Sequence, residues 1–90
     1  MAASRIVLTG ASKGIGRATA LKLTRGGAKV LAIARDEEAL ASLIFEAKSL
    51  SGRIYPHRCD ITVLDELEML PGTAEKLLNR VDALVNNARM

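Results

Sequence analysis

The sequence predicts an α/β fold: a parallel sheet wrapped by helices on both faces. Three observations carry that expectation. Short aliphatic runs recur at Ile6-Val7-Leu8, Val30–Ile33 and Ala83-Leu84-Val85, amphipathic stretches separate them, and a glycine-rich turn, Gly10-Ala11-Ser12-Lys13-Gly14-Ile15-Gly16, follows the first run directly. Such runs mark strands buried on both faces. Their alternation with helices calls for right-handed crossovers and parallel pairing.

The first strand holds Ile6 to Leu8. The first helix is expected from Arg17 to Arg25, with Ile15, Ala18 and Leu21 as its apolar face. Gly26-Gly27 ends it, one of the pair in the left-handed conformation. Lys29 to Ala34 is the second strand. Asp36 then caps a second helix, with Glu37 and Glu38 in its first turn and Leu40, Leu43, Ile44, Ala47 and Leu50 as its stripe. Ser51-Gly52 stops it. Arg53 to Cys59 reads as a third strand, and Pro56 within it points to a sheet edge. Asp65 to Leu70 reads as a helix broken by Pro71-Gly72, with Thr73 capping a second stretch from Ala74 to Asn79. Asp82 to Val85 is the fourth strand. The expected whole is a Rossmann-like three-layer α/β/α arrangement, a truncated doubly wound sheet in the order 3-2-1-4. Residues 1–90 would make a single half-domain.

Composition narrows the function classes. The chain is 49% apolar but only 2% aromatic, and its net charge is +3, from 13 basic and 10 acidic residues. One Tyr and one Phe leave no stacking platform for nucleic acid, so no nucleic-acid partner is expected. Positive charge beside the glycine turn suits a phosphate ligand better. No apolar run reaches membrane-spanning length, and residues 1–5 are too few for a signal peptide. Cys59 stands alone, which fits a reducing, cytoplasmic setting. His57 and Cys59 share a strand face, but without further ligands they make no metal site, and Cys59 reads as a small core residue.

The glycine turn carries the chemistry. Gly10 lets the chain leave the first strand in a conformation a side chain would resist. Gly14 removes a Cβ where backbone approaches a ligand, and Gly16 lets the helix pack near the sheet. The amides that open the helix face an anion with the helix dipole behind them. Ser12 and Lys13 add a hydroxyl and a charge at the rim. The spacing G-x-x-x-G-x-G is neither the generic dinucleotide fingerprint nor a P-loop. At the end of the second strand, an acidic residue would hold a ribose 2′-hydroxyl and repel a 2′-phosphate. Here Ala34 and Arg35 stand in that region, and Arg35 can clamp a phosphate. Asp36 either caps the second helix or turns inward to the hydroxyl. NADP(H) is therefore expected over NAD(H). Asp60 after the third strand admits two roles as well, a turn cap or a ligand contact.

These motifs together resemble the classical short-chain dehydrogenase/reductase family. Thr9-Gly10-Ala11-Ser12-Lys13-Gly14-Ile15-Gly16 matches its cofactor signature, and Asn86-Asn87-Ala88 is similar to its Asn-Asn-Ala-Gly segment. The resemblance implies that Asp60, with Ile61 beside it, meets the adenine amino group. It implies that Asn86 and Ala88 lie near the cofactor ribose, and that Lys13 and Arg35 are the basic positions of NADP-preferring members. The implied activity is hydride transfer between a nicotinamide cofactor and a carbonyl or alcohol. Arg89 departs from the family's glycine, and the family's catalytic Asn, Ser, Tyr and Lys fall beyond Met90. No catalytic residue is therefore assigned. Tyr55 has no Lys four positions on and reads as a packing residue. Three expectations follow. The chain is a fragment or the product of a shifted reading frame and is inactive as it stands. The fourth strand is an open apolar edge that invites homodimerisation or a partner chain. The alternative function is a non-catalytic dinucleotide-binding or protein-interaction module.

Overall fold

The computed structural model describes residues 4–86. Its elements run β1 (Arg5–Thr9), α1 (Gly14–Arg25), β2 (Lys29–Ala34), α2 (Glu37–Glu46), β3 (Arg53–Arg58), α3 (Leu64–Glu68), α4 (Leu70–Leu78) and β4 (Ala83–Asn86). The four strands form one parallel sheet in the order β3-β2-β1-β4, the order expected from the sequence.

The pleat sorts each strand's side chains between two cores, because successive residues point to opposite faces. Ile6, Leu8, Val30, Ala32 and Ile54 pack with Ala20, Leu40, Leu43 and Ala47 beneath α1 and α2. Val7, Leu31 and Ile33 pack with Cys59, Ala74 and Leu78 beneath α4. Burial on both faces explains why β1 and β2 read as unbroken aliphatic runs. Pro56 sits on β3, which pairs only with β2 among the described strands, so the missing N–H falls on an edge strand as expected.

Three local expectations need correction. The first helix begins at Gly14 rather than Arg17, and its buried residues are Gly16, Ala20 and Thr24. Ile15 is 78% exposed, and Ala18 is exposed too. The sheet-facing stripe is made of small residues at four-residue spacing. They let α1 lie close to the strands, and they carry too little hydropathy to outvote Ile15. The second correction concerns Pro71-Gly72, which opens α4 instead of breaking a helix. Proline is tolerated in a first turn because its absent N–H would have no intrahelical partner there. The break falls at Met69, and Thr73 lies inside α4, its amide donating to the Met69 carbonyl. The third is α2, which closes at Glu46 while Ala47 to Ser49 continue as a turn and Leu50 as a bend.

The end of α1 follows the predicted glycine logic. Gly27 has φ +98°, the Gly27 amide donates to Thr24 O at 3.0 Å, and the Ala28 amide donates to Leu23 O at 3.1 Å. That is a Schellman closure. Gly52 then docks on the same corner, its amide donating to Thr24 O at 2.8 Å.

β4 behaves differently from its neighbours. It is held to β1 in register from Ile6↔Ala83 to Thr9↔Asn86, and its start is fixed by Arg5 and Asp82, whose backbone and carboxylate exchange hydrogen bonds. Yet all four of its residues are exposed, Leu84 to 67%. Among the described residues, its outer edge pairs with no strand.

Candidate functional site: a cleft at the carboxyl ends of β1, β2 and β3

In a parallel sheet every strand delivers its carboxyl end to the same rim, so the loops there converge. On this rim lies an open cleft of about 540 Å³. Gly10, Ser12 and Lys13 line it from the turn after β1. Ile33 to Asp36 line it from the end of β2, and Cys59 to Thr62 from the loop after β3. Six of the residues expected at the site therefore meet in one cavity: Gly10, Ser12, Lys13, Arg35, Asp60 and Ile61.

The turn itself takes the conformation its glycines allow. Gly10 has φ +65° and Gly14 φ +56°, both in the left-handed region that side chains resist. A Cβ added to Gly14 would meet no atom within 4 Å, so the space over this residue is open. Lys13 precedes the helix in extended conformation and offers it no side-chain cap, and the first turn carries no acidic residue. The amides of Gly14, Ile15 and Gly16 are thus left without an acceptor among the described residues, as expected of a helix start that serves an anion. Gly14, Ile15 and Gly16 themselves lie beside the cleft rather than in its lining.

Each charged group on the rim has a defined partner set. Asp36 Oδ1 accepts the Ala39 amide at 3.1 Å, so its capping role is realised, while Oδ2 faces Lys13 Nζ at 3.4 Å. The Ala39 bond first, and Lys13 after it, hold the Asp36 carboxyl below the usual carboxylate range. Asp60 Oδ1 accepts both the hydroxyl of Thr62, at 2.6 Å, and its amide, at 2.9 Å. Those bonds lower the Asp60 pKa, helped by the positive charge of Arg35 and Arg58. The turn-cap reading of Asp60 is therefore correct for one oxygen, and Oδ2 accepts no hydrogen bond among the described residues. The Arg35 side chain makes no hydrogen bond or ion pair among the described residues, although its carbonyl accepts Arg58 Nε at 3.3 Å. Cys59 is 2% exposed at the cleft floor, and burial pushes its thiol pKa up, with Glu66 and Asp60 adding to the effect.

Asn86 lies on the other flank of β1. The Thr9 hydroxyl donates to Asn86 Oδ1 at 2.8 Å, tying the carboxyl ends of β1 and β4 together. Ala88, and Asn87 before it, lie outside the described residues. Tyr55 packs against the core under α4, with the Arg53 guanidinium 4.9 Å from its ring centre. Among the described residues no group of three or more His, Cys, Asp or Glu could hold a metal, and no helix is long and apolar enough to cross a membrane.

Sequence reasoning missed three contributors. Thr62 fixes Asp60, and its position two residues on is the signal of an Asx turn. Thr9 anchors Asn86, but only the register shows it. Arg17 bridges α1 to α2 through Glu46 at 2.6 Å, Ser42 at 3.3 Å and the Ala39 carbonyl at 3.4 Å, and so steadies the helix that Asp36 caps. No local pattern announces that contact.

Known proteins share this fold. A 3-oxoacyl-(acyl-carrier-protein) reductase of Thermotoga maritima is 38% identical over 82 residues, 91% of this chain but 33% of the relative. A metagenomic short-chain oxidoreductase solved with NADP superposes with a TM-score of 0.89 at 38% identity, over 97% of this chain and 39% of that one. An NADH-dependent reductase complexed with NAD superposes with a TM-score of 0.87 at 34% identity, over 98% and 37%. The chain thus spans about a quarter to a third of the length of the curated relatives it matches. The short-chain dehydrogenase family model matches residues 4–90, and the chain belongs to that family.

Proposed function

We propose that this chain is the part of an NADP(H)-dependent oxidoreductase that holds the adenosine and pyrophosphate of the cofactor. The observation that carries the reading is the convergence of Gly10, Ser12, Lys13, Arg35, Asp60 and Ile61 on one cleft.

The donors and acceptors suit such a ligand. The amides of Gly14, Ile15 and Gly16 would neutralise pyrophosphate charge, with the open space over Gly14 admitting the oxygens. Asp60 Oδ2 would accept the adenine amino group, since Oδ1 is engaged by Thr62. Arg35 and Lys13 would hold a 2′-phosphate, Arg35 through its planar fork. β2 ends on Ala34, so its last position offers no carboxylate to a 2′-hydroxyl. Asn86 would lie near the cofactor ribose.

When bound, the nicotinamide supplies a hydride at C4 for exchange with a carbonyl or alcohol carbon of the substrate. What this chain's residues contribute is placement and charge. None of them is assigned to proton transfer, and residues 1–90 alone are expected to show no turnover. Titration of the chain with NADPH and NADH by calorimetry tests the reading. Tighter NADPH binding is expected, and a thermal midpoint that rises with NADPH concentration would accompany it. Equal or tighter NADH binding overturns the NADP(H) preference. Failure of both to bind overturns the cofactor reading.

The bare edge of β4 favours a second property. Exposed Val81, Leu84 and Val85, with unpaired backbone beside them, suit strand addition by a second copy of this chain, which would suit the alternative of an interaction module as well. Sedimentation of the isolated chain should show a dimer, and a compact monomer across the micromolar range counts against it. The reduced Cys59 suits the cytoplasm.

A further inference from the structure

We infer that Asp36 is a specificity-determining residue of the cleft: an internal counter-anion that competes with a ligand's phosphate for Lys13. The inference rests on the nucleotide reading above and adds to it the group that limits the preference.

The geometry leaves Asp36 little choice. Oδ1 is held at 3.1 Å by the Ala39 amide, as the N-cap of α2. Turning the carboxylate inward to a ribose hydroxyl would uncap the helix. With Oδ1 held, Oδ2 lies 3.4 Å from Lys13 Nζ, across the mouth of the cleft that both residues line. The formal charges on the lining are Lys13 and Arg35 against Asp36 and Asp60, which cancel. The cleft is therefore not a strongly cationic site in its resting state. The Arg35 side chain is unengaged among the described residues, while Lys13, three-quarters exposed, already faces an anion at 3.4 Å. A terminal phosphate carrying close to two negative charges must share the Lys13 ammonium with Asp36 or displace it, and in either case lies beside that carboxylate. A ligand with a free 2′-hydroxyl meets neither requirement.

The test uses the whole chain and two small probes, adenosine 2′,5′-bisphosphate and 5′-AMP, which differ only in the 2′-phosphate. Asn caps helices about as well as Asp, so Asp36→Asn removes the charge and keeps the cap. By calorimetry, Asp36→Asn should bind the bisphosphate about three- to tenfold more tightly, the range expected when one unit charge is removed near a dianion at a solvated site. Its affinity for 5′-AMP should change less than about twofold on the same grounds. In a Lys13→Gln background the gain should shrink, because there is no ion pair left to release. Unchanged or weaker bisphosphate binding by Asp36→Asn overturns the inference. So does an equal gain for both probes, or an undiminished gain without Lys13. In each of those cases the wild-type chain still binds the bisphosphate, so the nucleotide reading survives. If neither probe binds the wild-type chain, the nucleotide reading falls and the inference falls with it.

Discussion

Gly14→Ala separates the cost of folding from the cost of binding. In the unliganded chain a Cβ at residue 14 meets no atom within 4 Å, so the substitution brings no steric overlap. What remains is the backbone: φ is +56°, and a side chain held there costs about 1–2 kcal/mol. For a domain of this size that lowers the thermal midpoint by about 4–8 °C per kcal/mol. The stability of such a domain is about 5–10 kcal/mol, so the variant stays folded. Binding is a different matter. The same methyl group would stand where pyrophosphate oxygens must come within hydrogen-bond distance, about 2.7–3.2 Å, of the amides opening α1. The loss of even one charge-assisted bond of about 1.5–3 kcal/mol weakens NADPH binding roughly tenfold or more. Differential scanning fluorimetry and calorimetry on one preparation measure both quantities. A folded variant with wild-type NADPH affinity refutes the assignment of this turn to pyrophosphate. An unfolded variant refutes the claim that the space over Gly14 is open.

Other glycines give a contrast. A Cβ at Gly52 would overlap the Ala28 carbonyl oxygen and come within 2.8 Å of that of Thr24, both of them backbone, so Gly52→Ala should lose about 3 kcal/mol or more in urea denaturation. At Gly72, inside α4 with no atom near its added Cβ, alanine should raise stability by about 0.5–1 kcal/mol. Stability should also have two pH limits. Asp36, Asp60 and Asp82 have folded pKa values below their ordinary ones, so their contribution is present at neutral pH and is lost as pH falls through about 4 and below. Cys59 is raised, so its contribution holds below its ordinary pKa and is lost as pH climbs past about 9. Thermal midpoints measured across pH 3–10 check both limbs, and a flat profile would contradict the partner sets described for these groups.

How much of this was legible in the sequence follows from where each signal is stored. Strand identity is local: Val30 to Ile33 is aliphatic on both faces because helices cover both, and no structure is needed to read it. Convergence of Gly10, Arg35 and Asp60 was also legible, since parallel strands put their carboxyl ends on one rim whatever the details. The face of α1 was not. Its contact surface is Gly16, Ala20 and Thr24, and hydropathy gives such residues little weight beside Ile15. Pro71 misled for a related reason. Proline marks a helix start as readily as a helix break, and only the position of Met69 separates the two. The bridge from Arg17 to Glu46 depends on how two helices lie across the sheet, which neither segment encodes alone.

The two flanks of β1 divide the molecule's work. Toward β2 the side chains are buried, the loops carry their own hydrogen bonds and the open cleft is lined by residues from three strand ends. Toward β4 the chain is held by register, by the Arg5–Asp82 exchange and by Thr9 on Asn86, but its residues stay exposed. On the proposed reading, adenosine and pyrophosphate would be held on the flank of β2 and β3, and the reacting end of a cofactor would fall toward β4. A ligand confined to the buried flank, such as adenosine 2′,5′-bisphosphate, therefore draws on groups already in place. On the same reading, a ligand that reaches past β1 would find few further groups in place beside the exposed β4. Nicotinamide mononucleotide, the half that reaches past β1, should accordingly contribute little to affinity in this chain, and NADPH should bind only slightly more tightly than the bisphosphate. If NADPH binds the chain far more tightly than the bisphosphate does, the bare flank is already a finished site and the division at β1 is wrong.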